Sequence, residues 1–212
     1  MTALWKQLRA SEVVELNHLY QPRMPVWPTH PKFLLGENES YAGGDSNYNC
    51  QLVMGDHCST HVDSPSHFIA TGKTIEQVDV RLLIGRGVLI DVRDVAPGAT
   101  FGTAEIERWE SQHGAIGPDD IAIFHTGWDA KWARRPEQDP FLSDWPGLSA
   151  EGTEMLIDRG VSVLGTDALS IDAFGSDTYP VHQRVLGSDR LIIENLTNLA
   201  RLPPYFTFIA LL

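Results

Sequence analysis

The residues best equipped for chemistry are crowded into one short stretch of the chain. Three of its eight histidines, His57, His61 and His67, fall within eleven residues, together with Asp63. Two imidazoles and a carboxylate are ligands that zinc, manganese and iron take in catalytic sites with an open position. This density predicts a metal centre that includes His57, His61 and Asp63.

The spacing of these residues constrains the backbone. On a helix, Asp63 would lie about 240° around the axis from His57, and Pro65 would disfavour the helix further. In a straight strand, the Cα atoms of His61 and Asp63 would be about 6.6 Å apart on one face. His57 would then lie about 13 Å from His61, too far for both to bind one ion. We therefore expect residues 58–60 to turn or bulge.

Predicted strands and helices alternate along the rest of the chain. Strands are expected at 12–17, 87–92, 120–124, 161–164, 191–193 and 205–212, and helices at 2–9, 103–113 and 149–159. This alternation favours an α/β fold with a mixed β-sheet flanked by helices. A length of 212 residues is compatible with a single domain spanning 1–212.

The composition indicates which kinds of partner the chain could bind and in which compartment we expect it. A net charge of −12 gives no electrostatic reason to bind nucleic acid. We expect no membrane association and no signal peptide, because the chain has neither a spanning apolar run nor an apolar leader. Two cysteines are too few for a disulfide framework, so a reduced, cytoplasmic setting is expected.

The order of these residues also resembles a known signature. His57-x3-His61-x-Asp63-x-Pro65-x-His67 resembles the H-x-G-T-H-x-D-x-P-x-H pattern of the cyclase family, which includes bacterial kynurenine formamidases and isatin hydrolases. Segments resembling the family's occur in the family's order at 24–28, 126–128, 146–149, 165–172 and 193–196, so the resemblance covers nearly the whole chain. It implies a partly barrel-like sheet, of the swivelling β/α/β kind.

The resemblance also implies roles for individual residues. His182 and Glu194 would complete the metal ligands, with Asp63 able to bridge two ions, and the cofactor would be one or two divalent ions per subunit, zinc or manganese. His67 would be the general acid/base, although a third imidazole ligand or a structural hydrogen-bond donor remains an alternative. Trp27 would wall a planar substrate, or else be a core or interface tryptophan.

Other residues are weaker candidates. His125 and Trp128 could line a pocket, and Asp167, Ser170 and Asp172 could support the ligands. Family members are oligomers, so a homodimer or homotetramer is expected, with surface anchors among Trp5, Trp128, Trp132 and Trp145.

The chain departs from the family pattern at two places. Ser59 stands where the family usually has glycine, which would cost of order 1 kcal/mol if φ is positive there. Family members also continue beyond the strand equivalent to 205–212, so either this sequence is truncated or its C-terminal edge is built differently.

These features predict a metal-dependent hydrolase that cleaves a C–N bond in a small aromatic amide, either an N-formyl aniline or a fused lactam. A cyclase, dehydratase or lactonase on the same site is an alternative. A non-haem Fe(II) oxygenase using His61, Asp63 and His182 is another, although it would need an all-β fold. A non-catalytic metal sensor would retain the ligands without the hydrolysis.

Overall fold

The computed structural model describes residues 3–210. Residue 2 of the expected first helix and residues 211–212 of the expected last strand lie outside this range. The helices and strands are α1 (Ala3–Ala10), β1 (Leu34–Glu39), β2 (Asn49–Val53), β3 (His61–Asp63), β4 (Ile84–Asp91), β5 (Thr100–Phe101), α2 (Thr103–His113), β6 (Ile121–His125), β7 (Gly147–Leu148), α3 (Ala150–Asp158), β8 (Val163–Thr166), α4 (Pro180–Gly187), β9 (Leu191–Glu194) and β10 (Tyr205–Ile209).

A six-stranded mixed sheet forms the centre of the molecule. Its order is β10-β4-β6-β8-β9-β3, with β4, β6, β8 and β9 mutually parallel and the edge strands β10 and β3 antiparallel to their neighbours. This confirms the predicted single-domain α/β fold with a mixed sheet flanked by helices. Strands β1 and β2 form a separate antiparallel ribbon, and β5 pairs with β7 in a third, parallel sheet.

The predicted strand at 12–17 is wrong. That segment makes a single bridge, between Asn17 and Leu196, and otherwise runs without a strand partner. Val13 is 81% exposed, whereas Val14 and Leu16 are half-buried and Leu16 packs against the core. The segment therefore contacts the fold through these side chains, without the neighbouring strand that a β-strand needs.

The two faces of the sheet bury different cores, because successive strand side chains point to opposite sides. In β6, Ala122 and Phe124 join the core formed with α2, α3 and α4, whereas Ile121 and Ile123 join the core on the other face. Strand β9 follows the same rule, with Ile192 on the helix-covered face. In β9, every second side chain counted from Ile192 therefore points towards the helices.

Two helices begin and end as the sequence predicts. Helix α2 spans Thr103–His113 as expected, and buries Ile106 and Trp109. Helix α3 begins after Ser149, whose hydroxyl accepts a hydrogen bond from the Gly152 amide. No helix within residues 3–210 is long and apolar enough to cross a membrane.

The tryptophans expected to anchor an interface are mostly inside. Trp128 and Trp145 are 5% and 3% exposed, and both belong to a buried cluster with Phe141. Trp132 is partly buried against the same cluster, so only Trp5 on α1 keeps substantial exposure. The predicted surface role is wrong for Trp128 and Trp145, because their rings fill the core beneath the 128–145 loop.

Candidate metal centre

Strand pairing brings three of the predicted ligands together at one edge of the sheet. Strand β3 pairs antiparallel with β9, and His61 is the register partner of Glu194, while Asp63 is opposite Ile192. Register partners share a face. His61, Asp63 and Glu194 therefore all point to the helix-covered side, where Ile192 is buried.

Helix α4 brings His182 to the same place. Asp172 accepts hydrogen bonds from the backbone amides of Val181 and His182, and so satisfies two free donors at the helix N-terminus. The other contact of Asp172 is with the imidazole itself, 2.6 Å from His182 Nδ1. A proton held on Nδ1 leaves Nε2 with its lone pair directed at Asp63 and Glu194, at 3.4 and 3.3 Å.

The expected turn before β3 is present. Residues 56–60 form turns and bends, and Ser59 has a φ of 58°. The Ser59 carbonyl contacts His61 Nδ1 at 2.8 Å, so His61 presents Nε2 to the centre in the same manner as His182. This turn returns His57 to Asp63, with Nδ1 of the imidazole 2.7 Å from Oδ1.

The other four predicted ligands therefore lie around Asp63. His61 Nε2 is 3.3 Å from Asp63 Oδ1 and 3.8 Å from Glu194 Oε2. Two atoms that each bind one ion at about 2.0–2.2 Å stand roughly 3–4 Å apart. Two sets of candidate ligand atoms within 4.8 Å of one another share Asp63, one with His57 and His67 and one with His61 and Glu194.

The centre contains buried polar atoms with no hydrogen-bond partner within residues 3–210. Both carboxylate oxygens of Asp63 and Nε2 of His61 are in this state, and Asp63 is 1% exposed. The close contacts to Asp63 lack the direction of hydrogen bonds. Leaving a buried carboxylate unpaired costs several kcal/mol, so a positive charge is needed at this point. The arrangement fits a divalent cation.

The pKa shifts of the residues around Asp63 also indicate that positive charge is favoured at this point. Desolvation opposes ionisation of Asp63, yet contacts with His182, His57 and His61 hold its pKa well below the usual range. Desolvation also acts against His61, but Asp63 and Glu194 outweigh it and raise the pKa of His61 to about 9. The pKa of His182 is raised well above its usual value, against desolvation, by Asp172, Asp63 and Glu194.

His67 differs from the ligands in position and environment. It ends a short 3-10 turn, Pro65–His67, instead of continuing the extended strand, and its ring stacks on His57 with centroids 3.8 Å apart. Desolvation and the neighbouring imidazoles lower the pKa of His67 to about 4, although Asp63 opposes the shift. His67 is exposed to solvent, whereas Asp63 is buried.

A cavity of about 200 Å³ opens onto the centre. Its lining comprises Trp27, His30, His57, His61, His67, Phe68, Leu169, Ser170, Tyr179, His182 and Glu194. Trp27 is among them and packs edge-on against Trp145, so it contributes to the cavity and to the core together. Of the secondary candidates, Ser170 lines the cavity and Asp172 contacts His182.

One expectation about pocket residues is wrong and some residues were missed. His125 lines a groove, as expected, although a different one from this cavity, whereas Trp128 lies in the core. Phe68, Tyr179 and His30 were missed. Phe68 directly follows His67 and Tyr179 is three residues before His182, so their proximity to predicted site residues was the available signal.

An α/β fold with buried imidazoles and carboxylates around one point defines a candidate metalloprotein. The sequence profile of the Cyclase family matches residues 14–173, and the chain belongs to this family. A kynurenine formamidase of Erythrobacter litoralis is 29% identical over 192 residues, which cover 91% of this chain and 81% of that protein. An isatin hydrolase of Roseibium aggregatum is 27% identical over 218 residues, with coverage of 91% and 81%.

Solved structures show the same fold. An isatin hydrolase bound to the product analogue thioisatinate superimposes with a TM-score of 0.87 at 23% identity, covering 97% of this chain and 90% of that one. A structure described as a potential metal-dependent hydrolase with cyclase activity gives 0.70 at 22% identity, covering 92% and 85%.

Proposed function

We propose that this protein is a metal-dependent hydrolase that cleaves a C–N bond in a small aromatic amide. The substrate would be an N-formyl aniline such as N-formylkynurenine, or a fused lactam such as isatin. One observation carries the proposal: Asp63 is buried, neither of its oxygens has a hydrogen-bond partner within residues 3–210, and imidazole nitrogens and a second carboxylate converge on it. A single domain spanning residues 1–212 would catalyse this hydrolysis.

The ligands would be His57, His61, Asp63, His182 and Glu194. Nitrogen and carboxylate donors together favour zinc or manganese over magnesium or calcium. Because Asp63 belongs to both sets of close donor atoms, it would be the residue shared if two ions bind. One or two ions per subunit are compatible with this set.

A cation held there would act as a Lewis acid on a substrate carbonyl and on water. His67 would move the proton. Its ring lies at the exposed side of the centre, stacked on His57, where a ring nitrogen can take a proton from water. The same nitrogen would return the proton to the departing amide nitrogen, whose expulsion as an anion is otherwise unfavourable.

The aromatic part of the substrate would be bound by the cavity walls. Trp27, Phe68 and Tyr179 present rings to a space of about 200 Å³, and Leu169 adds an apolar surface. Flat rings and small volume favour a mono- or bicyclic aromatic amide over a peptide or polymer. The names of the two relatives, a kynurenine formamidase and an isatin hydrolase, support the same substrate class.

The test is turnover of formanilides, isatins and lactones by protein stripped of metal and then restored with zinc or manganese. We expect hydrolysis of an aromatic amide only after restoration, and oxygen should be unnecessary. His67→Gln should lower kcat by about 10²–10⁴-fold while elemental analysis finds the same metal content.

His113→Gln is the matched control, since His113 lies exposed at the end of α2. Equal turnover by His67→Gln and the parent protein would overturn the assigned role of His67. Retention of metal with no turnover of any substrate would favour a sensor. A preference for lactones would indicate a lactonase instead of an amidohydrolase. Turnover that depends on oxygen would contradict hydrolysis.

We also propose that the protein is a homodimer or homotetramer. The β1–β2 ribbon supports this, because Leu34, Leu52 and Val53 on it are 57%, 57% and 45% exposed. An isolated two-stranded ribbon is marginal in water, so a second subunit would stabilise it. Light scattering coupled to gel filtration measures the mass, and a monomer would contradict the proposal.

A further inference from the structure

A second group of potential metal ligands lies outside the centre described above. One ligand atom each of His125, Asp129 and Asp167 lies within 4.8 Å of the other two. His125 ends β6, and Asp167 directly follows the parallel neighbour β8. Asp129 is in the 3-10 turn Trp128–Lys131 that continues from β6. The carboxyl ends of adjacent parallel strands meet at one edge, which explains the convergence.

The imidazole of His125 is available to a ligand. The residue is 4% exposed and lines a groove, and no side chain within residues 3–210 pairs with its ring nitrogens. Burial, with the nearby Arg93 guanidinium, lowers the pKa of His125, so the ring is neutral at neutral pH. Neutral imidazole is the form that binds metals. A groove of about 890 Å³ has His125 in its lining, whereas Asp129 and Asp167 lie outside that lining.

The two carboxylates are held in place by the backbone around them. Asp167 accepts from the Thr126 amide and hydroxyl through Oδ1, and from the Gly127 amide through Oδ2 at 2.8 Å. Asp129 accepts from the Thr197 hydroxyl through Oδ2 at 3.0 Å. Oδ2 of Asp167 and Oδ1 of Asp129 keep free lone pairs. Carboxylates fixed this way need little rearrangement to bind an ion.

The local charge is compatible with a cation. Arg93 is the nearby guanidinium, but its NH2 group is 2.6 Å from Asp91, whose charge it offsets. Arg93 also interacts with Asp167 at longer range, so Asp91, Asp129 and Asp167 together place three carboxylates around one guanidinium. Burial raises the pKa of Asp167 to about 7, although the bonds from Thr126 and Gly127 oppose the shift. A bound cation would favour its ionised form.

We propose that His125, Asp129 and Asp167 bind a divalent first-row cation, such as zinc or manganese, at a site separate from the centre around Asp63. The imidazole ligand disfavours calcium and magnesium, which take oxygen ligands. The ion joins the end of β6, the turn after it and the end of β8. Its role is structural, because it joins three segments that are otherwise held by hydrogen bonds and by the packing of Trp128 with Ala168.

The test is the number of metal ions bound per chain. Protein stripped with a chelator and restored with manganese or zinc is passed through gel filtration, and its metal content is measured by elemental analysis. Asp129→Asn should contain one ion per chain fewer than the parent. The amide oxygen of asparagine can still accept from Thr197, so the turn should fold, and circular dichroism checks this. His125→Gln should lose the same ion.

Asp94→Asn is the matched control, because Asp94 lines the same groove and pairs with exposed Arg108. Its metal content should equal that of the parent. The parent should also lose more thermal stability on chelation than Asp129→Asn does. Equal metal content in the parent, Asp129→Asn and His125→Gln overturns the proposal, and a water molecule at this position in metal-soaked crystals would do so as well.

Discussion

Asp172 shows how a residue outside the proposed ligand set can control it. Its carboxylate holds Nδ1 of His182 at 2.6 Å and also caps helix α4. The imidazole and the helix are thereby fixed by one group, so the direction of Nε2 depends on Asp172. Supporting carboxylates of this kind tune both the orientation and the basicity of a metal-binding imidazole.

We expect Asp172→Asn to weaken metal binding by about 10–100-fold, because the amide cannot cap the helix with its oxygen and accept from Nδ1 equally well. Competition with a chromogenic chelator measures the affinity. Asp177→Asn, at an exposed position of the same loop, should bind like the parent. Unchanged affinity in Asp172→Asn would show that α4 alone orients His182.

His18 should make the fold sensitive to acid. Its ring stacks on Trp132 with centroids 3.9 Å apart, and Nε2 is buried without a partner among the described residues. Burial lowers the pKa of His18 to about 4, with Asp129 opposing the shift. The unfolded chain takes up this proton near pH 6.5, so stability is complete above that pH and falls towards pH 4.

The variant His18→Phe keeps the stacked ring and removes the titration. Between pH 6.5 and 4 it should lose less stability than the parent, with a difference on the order of 2 kcal/mol. Urea unfolding at several pH values measures this. His113→Gln should follow the parent, and identical pH dependence for His18→Phe would refute the assignment.

At the scale of elements, the turn before β3 decides whether His57 reaches Asp63. Ser59 occupies the left-handed region with a φ of 58°, where a side chain is strained. Its hydroxyl makes only a long contact, 3.4 Å, with the His18 carbonyl. Because φ is positive at residue 59, the glycine that the family usually has there would be favoured over serine.

Ser59→Gly should stabilise the fold by up to about 1 kcal/mol, because relief of strain outweighs the loss of the weak hydroxyl contact. Ser64→Gly is the matched control, since Ser64 has an extended φ of −88° and should be destabilised by about 0.5–1 kcal/mol. Chemical denaturation measures both variants. A destabilised Ser59→Gly would mean that the hydroxyl contact matters more than the strain.

At the scale of the whole molecule, the proposed centre ties an edge strand to the body of the fold. Strand β3 has only three residues and pairs on one side with β9, while α4 reaches it through the contact of His182 with Asp63. A cation bound by β3, β9 and α4 would link segments more than 120 residues apart in sequence, as the partners His61 and Glu194 are.

Chelation should therefore lower the melting temperature by about 5–10 °C, since a ligand at 100 times its Kd adds about 2.7 kcal/mol to the folded state. Scanning calorimetry with and without chelator measures the change. The comparison should be made in Asp129→Asn, which lacks the second proposed ion. In that background, adding Asp63→Asn should abolish the effect, and an unchanged melting temperature in Asp129→Asn would contradict the proposed centre.

The sequence by itself determined the ligand types, the need for a turn at 58–60 and the alternation of strands and helices. These are local properties: residue chemistry, the twofold period of a strand and the signals that begin or end a helix. The family resemblance then added His182 and Glu194, which no local pattern connects to His57.

The tertiary structure decided the rest, because it depends on which segments become neighbours. Only the β3–β9 register places His61 opposite Glu194, and only the packing of α4 on the same face brings His182 to them. The failure of the strand at 12–17, the burial of Trp128 and the meeting of His125 with Asp167 have the same cause. Each depends on contacts between residues far apart in the chain, and a local pattern carries no information about them.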